Sequence, residues 1–494
     1  MEEKLNDQEL VRRQKLDKLK ELGVDPWGQR FVRTDSTKTC KDKIAGKTNE
    51  ELEANPIRVT VAGRLMQLRK MGKASFLNIL DKFGRIQGYI SVDTVGAESY
   101  EIFKTNDLGD IIGISGRLML TKTGEPTIRV DEYTFLTKSL KVLPEKYHGL
   151  VDIEERSRHR YLDLIMNEDS RNTAIKRTQV IRSIQHFLDN QGYMEVETSV
   201  LSPILGGANA KPFITHHNAL DKNFYLRIAT ELNLKKLIVG GLEKVYEIGR
   251  IFRNEGMDAR HNPEFTTIEL YEAYGNLQSM RELWEALIRN AAKEICGTTC
   301  VTYGDKQIDF GPEFRWVSMS DLVKEKTGLD FKEDLKIEDL VKYFKEKNIP
   351  MEKHWNSTGY FLNALFDEYC EAELIQPTFV YGHPIEISPL TKKSPDPRFT
   401  ERFELYANGF ELANAYTELN DPIDQKERFE AQLAAKARGD EEANEMDLDF
   451  LDALDYGMPP TGGIGMGIDR LVMLLTNQEN IREVILFPTM KDEQ

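Results

Sequence analysis

The segment Arg250–Tyr271, RIFRNEGMDARHNPEFTTIELY, gathers residues whose types and spacing could do chemistry. Its pattern reads as strand, polar loop, strand. The first strand ends in Arg253 and Glu255, and the loop Gly256–Asn262 carries Asp258, Arg260 and His261. The second strand runs from about Glu264 to Tyr271. Successive side chains on a strand alternate faces, so Phe265, Thr267, Glu269 and Tyr271 should share one. That face offers an aromatic plate, a hydroxyl, a carboxylate and a phenol, beside a loop of two arginines and a histidine. The set suits a planar, phosphorylated anion next to a small cation. Taken alone, it is equally at home as a solvated charged hairpin.

A second constellation is RFELYANGFEL, residues 402–412. Asn408-Gly409 is a two-residue hairpin signal. Folding there pairs Tyr406 with Glu411, so Glu404 and Glu411 fall diagonally on one face, within reach of a shared ion. Oxygen-only ligands fit magnesium, which nucleotide phosphates would also hold. Two glutamates on a hairpin are more often solvent-facing.

Elements that must position these groups are legible around them. Residues 3–22 have helical spacing, with Leu5, Leu10, Leu16, Leu19 and Leu22 among many charges. From about Pro56 to Thr137 five short β-runs alternate with turn-forming glycines, as a small barrel of OB-fold type would require. Residues 141–170, with Pro144, His148 and the run DIEERSRHRYLDL, read as a linker. A helix follows, with Ala174, Val180, Ile181, Ile184, Phe187 and Leu188 on one stripe and Gly192 as its stop. GYMEVETSVLSP (Gly192–Pro203) reads as a strand closing on proline, and GGIGMGIDR (Gly462–Arg470) as a glycine-alternating strand entering a helix near Asp469. The helix-rich, Lys/Glu-rich region from about 316 to 376 reads as an insertion. The domain expectation is 1–55 helical extension, 56–142 barrel, 143–170 linker and 171–494 catalytic domain. The fold class is α+β, an antiparallel sheet flanked by helices following the barrel.

A chain of 494 residues fits two or three domains, and 40% hydrophobic with 30% charged residues describes a globular protein. No apolar run approaches the roughly 20 residues that span a bilayer, and the N-terminus lacks the apolar core of a signal peptide. The expectation is a cytoplasmic protein with no membrane partner, its four cysteines (Cys40, Cys296, Cys300, Cys370) free thiols. A net charge of -16 argues against nonspecific coating of nucleic acid. Charge is uneven, however: residues 1–70 hold 16 Lys+Arg against 12 Asp+Glu, a local +4 that leaves -20 on the rest.

In order, Gly192–Pro203, Arg250–Tyr271 and Gly462–Arg470 resemble motifs 1, 2 and 3 of the class II aminoacyl-tRNA synthetases. RIATEL (Arg227–Leu232), GGANAKPF (Gly206–Phe213), HNPEFTTIELYEAY (His261–Tyr274) and GFELANAYTELNDP (Gly409–Pro422) resemble the bacterial-type lysyl branch of that class, over nearly the whole chain. The resemblance implies ATP, L-lysine and tRNA(Lys) as substrates, Mg2+ as cofactor, and a homodimer formed through motif 1. It implies catalytic roles for Arg253 and Arg470, and ATP contacts from Arg253, Glu255, His261, Asn262, Phe265, Glu404 and Arg470. Lysine would be held by Gly207, Glu231, Glu269, Tyr271, Asn414, Tyr416 and Glu418, with Glu231 on its α-amino group and Glu269, Tyr271 and Glu418 around its ε-ammonium. Glu404 and Glu411 would hold metal.

In the barrel, Arg69, Phe76, Gln87 and Glu132 match the family's anticodon-reading positions, although Phe76 could also be barrel core. Strict alternation from Glu411 would turn Asn414, Tyr416 and Glu418 away from the site, so a β-bulge is expected between Glu411 and Asn414, where Ala413 is small. Two departures stand out: Asp469 replaces the glutamate of the class pattern, and Tyr416 stands where some lysyl enzymes have phenylalanine. Competing readings are aspartyl or asparaginyl charging, a lysine ligase acting on protein, and a catalytically dead RNA-binding relative.

Overall fold

A computed structural model describes residues 5–144, 150–208, 210–438 and 446–492. The chain forms two compact units, Met1–Arg171 and Asn172–Gln494. In the first, helices α1 (Asp7–Glu21), α2 (Thr37–Ile44) and α3 (Asn49–Ala54) each begin in a capping box, at Asn6, Ser36 and Thr48. The leucine stripe of α1 is not its main anchor. Leu19 is buried, but Leu10 and Leu22 are exposed. Buried Arg12 fastens the helix instead, donating to the carbonyls of Leu108 and Ser139 at 2.9 Å each.

Strands β1 (Arg58–Met71), β2 (Ala74–Asp81), β3 (Gly84–Ser91), β4 (Ile111–Leu120) and β5 (Pro126–Thr137) close a barrel in the order β1-β2-β3-β5-β4. Their alternate side chains, Val59, Val61, Leu77, Ile79, Ile112 and Ile114 among them, fill the interior. Helix α4 (Val92–Lys104), which the strand rhythm had hidden, adds Tyr100 and Phe103 to that core.

The expected linker holds α5 (Ile153–Arg158) and α6 (Arg160–Met166). Its charges are satisfied internally: fully buried Asp163 accepts from Arg156 (2.9 Å), Arg160 (2.5 Å) and Ser170 (2.9 Å). A charge run whose members pair this way folds instead of remaining solvated. Residues 145–149, including His148, lie outside the described residues.

The second unit opens within α7 (Glu168–Asn190), whose Val180, Ile184 and Leu188 are fully buried, and which Gly192 ends with φ 80°. The segment after it is not one strand. It makes β6 (Met194–Glu195) and β7 (Leu201–Ser202), in different sheets, because Val196 N–H bonds the Tyr246 carbonyl and the Glu247 side chain takes the Thr198 N–H and hydroxyl. Strand β7 joins β8 (Ile214–His217) and β9 (Lys222–Leu226). Helix α8 (Glu231–Val239) follows, then β10 (Lys244–Phe252), β11 (Glu264–Ala273) and α9 (Leu277–Cys296).

After the small hairpin β12 (Cys300–Tyr303)–β13 (Lys306–Asp309) come β14 (Arg315–Ser318), α10 (Met319–Thr327), α11 (Ile337–Lys347), α12 (Thr358–Tyr369) and β15 (Thr378–Tyr381). Trp316 is therefore a strand residue, stacked on Tyr381 with ring centroids 4.8 Å apart, and the helical stretch starts at Met319. The three helices form the crossover that the parallel pairing of β14 with β15 demands.

Strands β16 (Arg402–Ala407) and β17 (Phe410–Thr417), helices α13 (Pro422–Ala437) and α14 (Leu448–Asp455), strand β18 (Thr461–Gly467), and helices α15 (Ile468–Thr476) and α16 (Ile481–Val484) complete the unit. The main sheet has eight strands in the order β14-β15-β16-β17-β18-β11-β10-β6, antiparallel except at its two outermost pairs. One face is packed by α7, α9 and α15 through Ile184, Trp284, Leu287, Leu471 and Leu474 against Ile268, Leu270, Ala413, Ala415, Ile464 and Met466. The other face carries the site.

Candidate active site

The parity expected of β11 is present. Ile268 and Leu270 point into the core, while Phe265, Thr267, Glu269 and Tyr271 line a cavity of about 460 Å³. Phe265 and Tyr271 are six residues apart, so at about 3.3 Å per residue the row extends roughly 20 Å. That is long enough to seat a nucleotide and an amino acid end to end.

The hairpin Tyr406–Glu411 turns at Asn408 (φ 54°) and Gly409 (φ 69°), as an Asn-Gly turn of primed type requires. Tyr406 pairs with Glu411, then Leu405 with Ala413, so Leu412 is a one-residue bulge. The expected bulge is there, with Leu412 as its extra residue. It brings Glu411, Asn414 and Tyr416 to the cavity and returns Leu412, Ala413 and Ala415 to the core.

The floor is β18, and its glycines have a steric cause. Gly463 lies between Tyr271 and Tyr416, and Gly465 between Glu269 and Asn414. A Cβ at Gly463 would stand 2.1 Å from Glu418 Oε1 and 2.5 Å from the Tyr271 ring. At Gly463 the side chains of the neighbouring strands occupy the volume that any residue but glycine would need.

One end of the cavity is cationic. Arg253, just beyond the end of β10, places its guanidinium 5.3 Å from the centre of the Phe265 ring, and its buried Nε has no hydrogen-bond partner. Arg470, in the first turn of α15, donates to the Glu411 carbonyl (2.7 Å) and to His261 Nε2 (3.1 Å). Because arginine can only donate, His261 Nε2 accepts. Its proton is thereby assigned to Nδ1, which bonds Asp258 at 2.8 Å. Burial would raise Asp258, but His261 and the backbone N–H groups of Arg260 and His261 hold it below its ordinary range. Asn262 donates to the Glu264 carbonyl at 2.6 Å, stapling the loop, and Glu255 is an exposed member of the wall.

Asp469 explains how the shorter acid serves in the third motif. It accepts from the Thr266 N–H of β11 at 2.7 Å and from Arg177 of α7, while Arg177 also donates to Thr266 Oγ1 at 3.1 Å. The second and third motif segments are thus tied to each other and to the helix that precedes the first.

The opposite end is acidic. Glu269 accepts from the Thr230 N–H (3.0 Å) and the Tyr271 hydroxyl (3.3 Å). Burial, then the neighbouring Glu231, pushes its carboxyl up to about 7. Glu418 is pushed up to about 8, by burial first and by Glu231 and Glu269, against the pull of Lys235. Glu231 opens α8, and Gly207 (φ 90°) passes 3.7 Å from its Cβ, measured from where a Cβ at Gly207 would stand. Asn209 lies outside the described residues.

Along the side wall, Glu404 accepts from Arg402 (2.5 Å) and from Tyr406. Arg402 also donates to Asn414 Oδ1 (3.0 Å), and Asn414 donates to the Tyr416 hydroxyl (3.0 Å). The oxygen chemistry of Glu404 and Glu411 suits a hard divalent cation, each carboxylate retaining free lone pairs. Among the described residues no three His, Cys, Asp or Glu side chains gather as a ligand set, so most of the shell would come from phosphate and water.

Every residue singled out for nucleotide, amino acid or metal therefore lines one cavity. Three functional neighbours were missed. Arg402 shares the face of Glu404 by the same i, i+2 parity and could have been found. Lys235 stands at i+4 from Glu231, an ordinary helix pair, but its second partner Glu418 lies far along the chain. The pairing of β18 glycines with bulky neighbours had no local signal.

On the barrel, Arg69 faces Phe76 across β1 and β2, and Phe76 faces Tyr89 across β2 and β3, their rings 5.2 Å apart. Phe76 is half-buried on the outer face and no part of the barrel core. Gln87 donates to Thr127 Oγ1 at 2.9 Å. Glu132 is placed on β5, where it accepts from Arg58 at 2.8 Å and makes no direct bond to the other three. Tyr89 is a second outward aromatic that was not singled out.

Comparison with known proteins gives the same division. Residues 152–491 match the family model of tRNA synthetases class II (D, K and N), and residues 59–136 that of the OB-fold nucleic acid binding domain. The chain is 56% identical over 490 residues to a lysine–tRNA ligase of Lysinibacillus sphaericus (strain C3-41), covering 99% of this chain and 98% of that protein. It is 55% identical over 490 residues to one of Bacillus subtilis (strain 168), with the same coverage. A third, of Listeria monocytogenes, is 54% identical, again over 99% and 98%.

Proposed function

From a chain that belongs to the class II tRNA synthetases of the aspartate, lysine and asparagine group, we propose that the cavity joins lysine to ATP and then to tRNA(Lys), each residue acting as follows. The activity is lysine–tRNA ligation. The observation that carries the residue assignment is the polarity of one cavity, with Arg253, Arg470 and His261 at one end and Glu231, Glu269 and Glu418 at the other.

Lysine enters with its ammonium groups among the carboxylates, and the Tyr271 ring flanks its methylene stem. Its carboxylate oxygen attacks the α-phosphorus of ATP, and pyrophosphate leaves in line with the bond that forms. The protein supplies position and charge. Arg253, its Nε unspent, donates two parallel bonds to the α-phosphate. Arg470, braced by His261, holds the outer phosphates, Phe265 stacks on adenine, and Glu255 and Asn262 receive the base edge. Magnesium, when bound by Glu404 and Glu411, neutralises phosphate charge. The terminal 3′-hydroxyl of tRNA then attacks the acyl carbon, and AMP departs. On the barrel, Phe76 stacks an unpaired anticodon base while Arg69, Gln87 and Glu132 read base edges.

A homodimer is part of the proposal. The edge strand β6 is two residues long, and Met194 within it and Val200 and Leu201 further along the same segment are exposed, apolar groups that a second copy would cover. No helix among the described residues is long and apolar enough to cross a membrane, and we place the enzyme in the cytoplasm. Pyrophosphate–ATP exchange tests the substrate: lysine should drive it, and aspartate and asparagine should not. Exchange driven by aspartate or asparagine in place of lysine overturns the reading.

A further inference from the structure

Lys235 is completely buried on α8, yet none of the steps above uses it. Its ammonium lies 2.5 Å from Glu231 Oε1 and in contact with Glu418 Oε2, with the Tyr271 and Phe450 rings 5.9 and 6.0 Å away. It therefore joins two carboxylates that were expected at opposite ends of the amino acid. Lys235 itself does not line the cavity, whereas both of its partners do.

The Glu418–Lys235 contact is close but poorly directed: neither Glu418 oxygen has a well-oriented hydrogen bond. Oε1 is held toward Gly463, on the floor. A buried carboxylate oxygen with no donor is unstable unless something cationic arrives.

Resting on the reading that lysine occupies this pocket, we propose that Lys235 is a positioning residue for lysine selection. It is a resident ammonium that holds Glu231 and Glu418 beside the cavity, favours the charged form of Glu418 against its burial, and leaves one oxygen of each for the substrate.

Burial favours the protonated form of Glu269 and Glu418, and a protonated carboxyl attracts an ammonium far less than a carboxylate does. The charged and titratable groups facing this cluster are Glu231 on α8, Glu269 and Tyr271 on β11, and Tyr416 and Glu418 at the end of β17, with Arg402 behind Tyr416. Among the groups that shape Lys235's own charge state only carboxylates occur: burial lowers it, and Glu231 and Glu418 outweigh burial and hold it above its ordinary value. Lys235 is the one cation in direct ion-pair contact with the acidic end, among the described residues.

The test is Lys235→Met in the full-length enzyme, with KM for lysine and for ATP measured in pyrophosphate exchange from about pH 6.5 to about pH 9. The expected result is a lysine KM raised at least about tenfold near neutrality, recovering as pH rises and the carboxyls ionise, with KM for ATP little changed. A second variant, Lys235→Ala, should regain lysine affinity when ethylammonium is added, while the same amine should only compete in the unaltered enzyme. Lysine KM unchanged in Lys235→Met overturns the proposal. So does a loss that neither alkaline pH nor ethylammonium repairs, since that would make Lys235 a packing residue. Failure of the unaltered enzyme to use lysine would instead overturn the substrate reading, and is seen before any variant is made.

Discussion

The outer face of the barrel and the cavity both set polar groups beside aromatic rings, but they are built in opposite ways. On the barrel Arg69 and Glu132 are exposed, and Gln87 has a single side-chain bond. In the cavity Glu269, Glu404 and Glu418 are nine-tenths or more buried; Glu269 and Glu418 are set by groups from α8 and its cap, and Glu404 by Arg402 and Tyr406 of its own strand. The difference follows from the ligands. A flexible single-stranded loop can be met by side chains that adjust, with the aromatic plate giving most of the affinity. A small ammonium offers little area, so its recognition must come from charges fixed in a dry site before it arrives.

The largest effect should come from the cavity's cationic end. Arg253→Ala should lower lysine-dependent exchange by about a hundredfold to a thousandfold, because the guanidinium proposed to hold the α-phosphate is lost. Binding of tRNA, followed by filter retention, should persist. If tRNA binding fell equally, the two regions would not be separable as described.

An effect of about tenfold is expected on the barrel, the scale of one stacked base. Phe76→Ala and Gln87→Ala should reduce kcat/KM for tRNA charging by that order while exchange without tRNA stays as it was. A defect in exchange from either would break the comparison from its other side.

The smallest effect sharpens the electrostatic half of the contrast. Glu269 and Glu418 are raised from 4.5 to about 7 and about 8, chiefly by burial. A carboxyl raised in this way contributes stability that is complete below its ordinary value and is lost as pH climbs through the raised one. Unliganded protein should therefore lose melting temperature between about pH 6 and about pH 8.5, and lysine, bringing the missing cation, should restore more of it at the upper end. Thermal scans with and without lysine at the two pH values decide this. A lysine increment independent of pH would show that the carboxyls are already ionised.

Much of the site was legible because its grammar is local. Period-two alternation put Phe265, Thr267, Glu269 and Tyr271 on one face, and the Asn408-Gly409 turn set Glu404 diagonal to Glu411 with no knowledge of the rest of the chain. Even the bulge at Leu412 could be inferred, since without it Glu411 and Asn414 would face opposite ways. Where local grammar misled, a distant partner had intervened. Gly192–Pro203 broke into two strands because Tyr246 and Glu247 captured its backbone; the charged run before α7, by contrast, folded through near neighbours, Asp163 gathering Arg156 and Arg160.

Residue types and spacing along the chain settled which cationic, acidic and aromatic groups share a face, since strand parity and turn chemistry act over a few residues. Tertiary structure alone decided the charge those groups carry. Lys235 reaches Glu418, Arg177 reaches Asp469, and Tyr271 and Tyr416 close over Gly463 from separate strands. Desolvation and Coulomb forces act through space, and no spacing within a segment records which charges folding will bury together.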